Sequence, residues 1–166
     1  VTELSDTAAE ALRKHKGLVL DHDKLQPSAS KILKRSWAYI LTLDVAEQFL
    51  ADKYSVRLQQ FTSIEDGAAE ALAKHEGPLV LDGLTSLSDA QVEALATHKN
   101  LLGLADLTSL SDAQAEALAK HDGVLVLRGL TSLSDTQAEA LAKHEGKLFL
   151  NDVTELSDTA AEALRK

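Results

Sequence analysis

An α/β fold is predicted for this chain of 166 residues: a solenoid with short parallel strands on its inner face and short helices on its outer face. Three observations carry that expectation. LTSLSDAQAEALAKHDG, at positions 107–123, returns as LTSLSDTQAEALAKHEG at 130–146 and is anticipated by LTSLSDAQVEALATHKN at 84–100, a period of twenty-three. Each copy changes its apolar spacing from a period of two to a helical period within itself. A unit this short cannot bury its own apolar face, so neighbouring units must stack.

The unit from Leu79 to Leu101 shows the logic of all of them. Leu79 and Leu81 alternate with Val80 and Asp82, the pattern of a short strand with one buried face. Ser88 then begins a helix. Gln91, three residues on, completes a capping box, and Asp89 suits the positive end of the helix dipole. Val92, Leu95, Ala94 and Ala96 are spaced to face inward, and Glu93 outward. Lys and His residues close the helix, and in several copies a Gly follows where a positive φ is expected to terminate it.

Strand starts are expected at Leu18, Leu41, Val56, Leu79, Leu102, Leu125 and Leu148. Leu41 and Val56 stand closer together than any other neighbours in this series, which reads as a shortened unit. The whole chain, 1–166, reads as one domain, with irregular units over 24–55 and regular repeats over 56–166. Residues 1–14 and 153–166 are the same fourteen letters, VTELSDTAAEALRK. Matching ends suit either helical caps or head-to-tail homo-association, a heterologous contact that builds open filaments unless it closes. Packed helices need about 8–10 Å and parallel strands about 4.8 Å, so the helix side is expected to be the longer arc.

The tandem wording, LTSLSDxxAEALAKHxGxLxLxG, resembles bacterial leucine-rich-repeat-like proteins, and the likeness covers nearly all of the chain outside 24–55. That resemblance implies a parallel-stranded arc with helices outside, and a protein-binding role. The pattern departs from the usual leucine-rich repeat at one slot. Leu84, Leu107, Leu130, Phe61 and Val153 stand where that family places the Asn or Cys whose side chain bonds the backbone in a ladder.

Composition narrows the function. A formal charge of −9 argues against a nucleic-acid partner, which needs clustered Lys and Arg. No run approaches the ~18 consecutive apolar residues of a membrane span, and the lack of Cys removes disulfides and thiolate chemistry. Ser28 to Lys31, SASK, has the S-x-x-K spacing of certain acyl-transfer enzymes but lacks their companion motifs. Glu10, Glu70, Glu93, Glu116, Glu139 and Glu162 recur as a solvated helix face, and no Gly-rich phosphate loop appears. A non-enzymatic protein-interaction scaffold with no cofactor is the expectation, and the alternative is a structural spacer or a head-to-tail self-assembling repeat segment.

His15, His75, His98, His121 and His144 share one repeat position. Two of them could share a zinc only with nitrogens about 2.0–2.1 Å from it. Helices about 8–10 Å apart make that awkward, so these residues read as helix ends meeting the negative dipole. His22, between Asp21 and Asp23, is a weak metal signal.

The expected site is a surface. Positions flanking the strand leucines vary while the leucines do not, in one row through Val19, Thr42, Arg57, Val80, Gly103, Val126 and Phe149 and another through Asp21, Asp44, Gln59, Asp82, Ala105, Arg128 and Asn151. Variation on a constant frame is the pattern of an evolvable binding face. The stretch 24–55 offers a second candidate. Trp37, Tyr39, Phe49 and Tyr54, four of the six aromatic residues, fall there, with Lys31, Lys34 and Arg35 beside them. They read either as fillers of an irregular unit or, for Lys31, Lys34, Arg35, Trp37 and Tyr39, as a recognition patch, since aromatics and Arg dominate binding hot spots. Phe49 and Leu50 are both expected to point inward.

Overall fold

The computed structural model describes residues 39–165. Short parallel strands alternate with helices in the order β1 (Ile40–Leu41), α1 (Leu43–Ala51), a 3-10 turn (Leu58–Gln60), β2 (Ser63–Ile64), α2 (Asp66–Leu72), β3 (Leu79–Val80), α3 (Asp89–Ala96), β4 (Leu102–Gly103), α4 (Asp112–Ala119), β5 (Leu125–Val126), α5 (Asp135–Leu141), β6 (Leu148–Phe149) and α6 (Asp158–Leu164). One parallel sheet runs β3-β4-β5-β6, and a second holds β1 and β2. Leu79 pairs with Leu102, Leu102 with Leu125 and Leu125 with Leu148, so the repeat period of the sequence is the register of the sheet. The segments expected around Leu18 and His15, the SASK stretch, His22 and residues 1–14 lie outside the described residues.

The hand-off between units is a backbone bond made at the same place each time. Leu79 N–H donates to Leu101 O (2.8 Å), Leu102 N–H to Val124 O (2.8 Å) and Leu125 N–H to Lys147 O (2.8 Å). Two residues on, Leu81, Leu104 and Leu127 donate to Gly103, Val126 and Phe149. With the strands tied in register, equivalent side chains stack. Leu79, Leu102 and Leu125, and Leu81, Leu104 and Leu127, are all fully buried. From the helices Leu72, Leu95, Leu118 and Leu141 close the other side of the same core. Burial of each such side chain is worth about 1.5–3 kcal/mol, which a single unit could not collect alone.

Helix starts follow the sequence closely. Ser88, Ser111 and Ser134 each accept a bond from the amide three residues later, and Gln91, Gln114 and Gln137 return it to the cap residue's own N–H. Those glutamines also join units. Their Nε2 atoms donate to Ile64 O (2.8 Å), Leu87 O (2.8 Å) and Leu110 O (2.9 Å) of the preceding unit. A Gln ladder at the third helical position thus does what an Asn or Cys ladder after the strand would do. The slot left empty of polar residues, Leu84, Leu107 and Leu130, is wholly apolar and buried.

Where this glutamine is missing, the backbones meet directly. Ala68 and Ala160 stand at the third position of α2 and α6. In the first case Glu65 N–H donates straight to Leu41 O (3.0 Å) and β1 pairs with β2. In the second, Ser132 bridges to Glu155. With Gln present the amide sits between donor and acceptor, accepting from Ser88 N–H (2.9 Å) while donating to Ile64 O.

Five sequence expectations change. Leu41 is not the counterpart of Leu79: it precedes α1 as Ile64, its partner in the sheet, precedes α2. The interval from Leu41 to Val56 equals that from Leu87 to Leu102, so no shortened unit intervenes. Val56 and Leu58 occupy the slots of the strand leucines and are buried, but no strand forms at Val56 and Arg57, and a 3-10 turn follows them at Leu58–Gln60. Leu50 points outward, 40% exposed, while Phe49 fills the place that Leu72 takes in the next unit. Among the described residues the helix-end glycines, Gly77, Gly123 and Gly146, do not serve as positive-φ stops. A Cβ on Gly123 or Gly146 would collide with the carbonyl of Asn100 or Gly123 in the preceding unit, so close approach of backbones selects glycine.

Leu104→Ala, at the centre of the stack, is expected to cost about 2–5 kcal/mol through the cavity it leaves, measured by urea unfolding. Gln114→Leu should cost about 1–3 kcal/mol, because it leaves the Leu87 carbonyl and the Ser111 N–H without their buried partner; the same melts check it.

Candidate binding surface

The strand register decides which varying residues stand together. Val80, Gly103, Val126 and Phe149 are direct neighbours across β3 to β6. Val80 and Val126 are partly exposed, and Phe149 is 37% exposed. Arg57 continues the row beside Val80 as an exposed residue at the start of the 3-10 turn. The row is interrupted at Gly103, and the reason is local. The Asp82 carboxylate lies where a Cβ on Gly103 would be, 2.7 Å away, and accepts a bond from Ala105 N–H (3.1 Å). Glycine at 103 is what lets Asp82 fold back over the sheet.

The second row contains Gln59, Asp82, Ala105, Arg128 and Asn151, of which Gln59, Arg128 and Asn151 are exposed. Asp82 is half-buried and tied down, while Arg128 extends from a turn between buried Leu127 and Leu130. The surface carries an anionic position at one side and a cationic one two units away. Aliphatic Val80 and Val126 and aromatic Phe149 lie alongside.

Thr42 and Asp44 do not belong to it. Thr42 caps α1, its hydroxyl accepting from Val45 N–H (3.5 Å), and Asp44 lies in the first turn of that helix. They were drawn into the rows because LTLD imitates the strand wording, whereas the strand ends at Leu41. Val19, Asp21, Lys31, Lys34, Arg35 and Trp37 lie outside the described residues. Tyr39 is half-buried against the core. Among the described residues of this stretch Tyr54 is the exposed aromatic, 85% accessible, with Lys53 Nζ 5.2 Å from its ring centre.

The histidines form a ladder that helix spacing alone did not predict. His98 and His121 stack with ring centres 6.1 Å apart, and His121 and His144 with centres 6.0 Å apart, at interplanar angles of 11° and 5°. They lie between a helix end and the turn into the next strand. His121 Nε2 faces Asn100 O (2.8 Å) and His144 Nε2 faces Gly123 O (3.1 Å). A carbonyl only accepts, so Nε2 of His121 and of His144 carries a proton and donates it. His98 and His121 are not exposed helix ends. His98 and His121 are buried, and Nδ1 of His98, His121 and His144 meets no partner. Among the described residues no three His, Asp or Glu side chains converge as a metal site.

Burial pushes the pKa of His98 down, opposed by nearby backbone carbonyls and assisted by His75. Burial likewise lowers His121, helped by the flanking His144 and His98. A depressed folded pKa means that the unfolded chain takes up protons first as pH falls. The stability from burying these neutral rings is therefore complete above about pH 6.5, the unfolded value, and is lost as pH drops through the lower folded pKa.

Compared with known protein families, curated proteins and solved structures, the chain matches none.

Thermal melts should show a lower Tm at pH 5 than at pH 7.5. His98→Leu, which removes the buried ring whose nitrogens have no partner, should reduce that difference. An unchanged pH dependence would separate the ladder from acid sensitivity.

Proposed function

We propose that this protein is a non-enzymatic protein-interaction scaffold, a leucine-rich-repeat-like solenoid that binds a protein partner through the varying rows beside its strands. The observation that supports this reading is the contrast within one strand. Leu79, Leu102 and Leu125 are fully buried and invariant in type, while Val80, Gly103, Val126 and Phe149, in the same backbone register, differ at each step. Backbone bonds hold such positions at intervals of about 4.8 Å, so side chains change without altering the frame that presents them. An aromatic residue and an arginine on that face, Phe149 and Arg128, are the residue types that anchor protein interfaces.

The recognising residues in this reading are Arg57, Val80, Val126, Arg128 and Phe149. Asp82, fixed by the Ala105 amide, supplies an oriented acceptor. Partners are proteins, and no catalytic step is assigned to any residue.

Arg128→Ala combined with Phe149→Ala should lower affinity for a captured protein partner at least tenfold, read by surface plasmon resonance, with circular dichroism and Tm unchanged. Thr42→Ser and Asp44→Asn, outside the rows, should leave affinity as it is. Equal binding by the double variant would remove this face from recognition.

A further inference from the structure

The histidine column is the one place where the stack encloses groups that titrate near neutral pH. His98 and His121 are buried, with ring centres 6.1 Å apart and planes 11° from parallel. His144 continues the column at 6.0 Å, and one unit before His98 stands His75, edge-on to Phe49 with ring centres 5.3 Å apart. Neither nitrogen of His98 has a hydrogen-bond partner, and Nδ1 of His121 has none. An unpaired buried polar atom costs about 1–3 kcal/mol, so His98 is held by the packing around it and not by bonds of its own.

A proton arriving here meets no counter-charge. The titratable groups that act on these two rings are other members of the column, His75 on His98, and His144 and His98 on His121. Carbonyls of Ala73, Gly77 and Leu101 near His98, and of Asn100 and Ala96 near His121, favour the charged forms, but burial outweighs them. In the turns Lys74 and Glu76 flank His75, Lys99 follows His98, Lys120 and Asp122 flank His121, and Lys143 and Glu145 flank His144; all these neighbours are exposed. Charges in water are screened, and among the described residues no Asp or Glu is buried with the rings.

We propose that the column is an acid-operated latch: on protonation the turns that carry His98 and His121 open together, while the caps at the other end of the same helices stay closed. The two turns are tied to each other. Asn100 O accepts from His121 Nε2 (2.8 Å), and Leu102 N–H, at the end of the first turn, donates to Val124 O at the end of the second (2.8 Å). Release of either ring uncovers a face of the other and admits water to it, so the second proton binds more readily than the first. The starts of α3 and α4 are fixed instead by capping boxes and by glutamine bonds to Ile64 O and Leu87 O, whose groups do not titrate near neutral pH. Opening of a turn costs less than unfolding the chain. Leu102 and Leu125 begin β4 and β5, so it also loosens the register that sets Gly103 beside Val126.

The direction of the response follows from linkage. In water a histidine titrates near pH 6.5, whereas burial holds His98 and His121 lower. The open form therefore takes up protons first as pH falls below about 6.5. Between pH 7.5 and pH 5.5 its population rises about tenfold for one ring released and about a hundredfold for two released together.

Native-state hydrogen exchange of the full chain, followed by NMR at pH 7.5 and 5.5 and at several urea concentrations below the unfolding transition, measures this. After correction for the intrinsic pH dependence of exchange, the amides of Leu102, His121 and Leu125 should open far more than tenfold more often at pH 5.5, approaching a hundredfold. Their urea dependence should stay well below that of global unfolding, because little surface is exposed. Gln91 and Gln114 amides, at the caps, should not share this urea-insensitive rise. His121→Phe keeps an aromatic ring in the stack without a titratable group and should cut the rise at Leu102 and Leu125 to tenfold or less; His98→Phe is the second variant if the first does not fold. A rise of tenfold or less in the parent chain would overturn the proposal, as would turn amides with the urea dependence of global unfolding or an undiminished rise in either variant.

Discussion

The structure depends on one repeated bond, the N–H of a strand leucine donating to the carbonyl of the next unit. It is 2.8 Å at Leu79, Leu102 and Leu125 alike. Once it holds the strands in register, every other feature that recurs in sequence becomes a column in space. Leucines fall on leucines and glycines on carbonyls, while histidines stack on histidines. Stability in such an arrangement is a sum of unit and nearest-neighbour terms, and the helices obey the same rule, each packing on the next in sequence.

Glutamine at the third helical position has two tasks, and they explain each other. As half of a capping box it satisfies the cap residue's amide, and with its remaining Nε2 hydrogens it reaches the preceding unit. The side chain replaces a direct backbone bond with a bridged one. Units carrying Ala there, at Ala68 and Ala160, revert to direct pairing. Caps add to the ladder too: Ser111 and Ser134 hydroxyls donate to Asp89 (3.2 Å) and Asp112 (3.4 Å), and Ser157 donates to Asp135. Local signals for starting a helix thus also serve as links between helices, so local and global preferences agree.

That agreement leaves two kinds of surface. Along the strands, residues next to the buried leucines are released from packing and free to differ, which underlies the proposed recognition face. At β6 and α6, Leu148, Leu150, Val153 and Leu164 keep the apolar character of the core positions while remaining partly exposed.

The sequence by itself determined the unit, its register and its core. Period, capping boxes and alternating leucines are local patterns, and a constant repeat length translates directly into strand pairing. The candidate rows were legible for Val80, Val126, Arg128 and Phe149 for the same reason, and failed at Thr42 and Asp44, where LTLD imitates a strand although its Thr caps a helix. Tertiary structure alone decided what happens between units. Gln91, Gln114 and Gln137 advertise a cap, and only a neighbouring carbonyl reveals them as a ladder. Gly123 and Gly146 suggest a positive φ, and only the backbone lying against them shows that they make room. His98 and His121 read as charged helix ends until the stack buries them, since charge and burial depend on what the next unit brings, and no single unit carries that information.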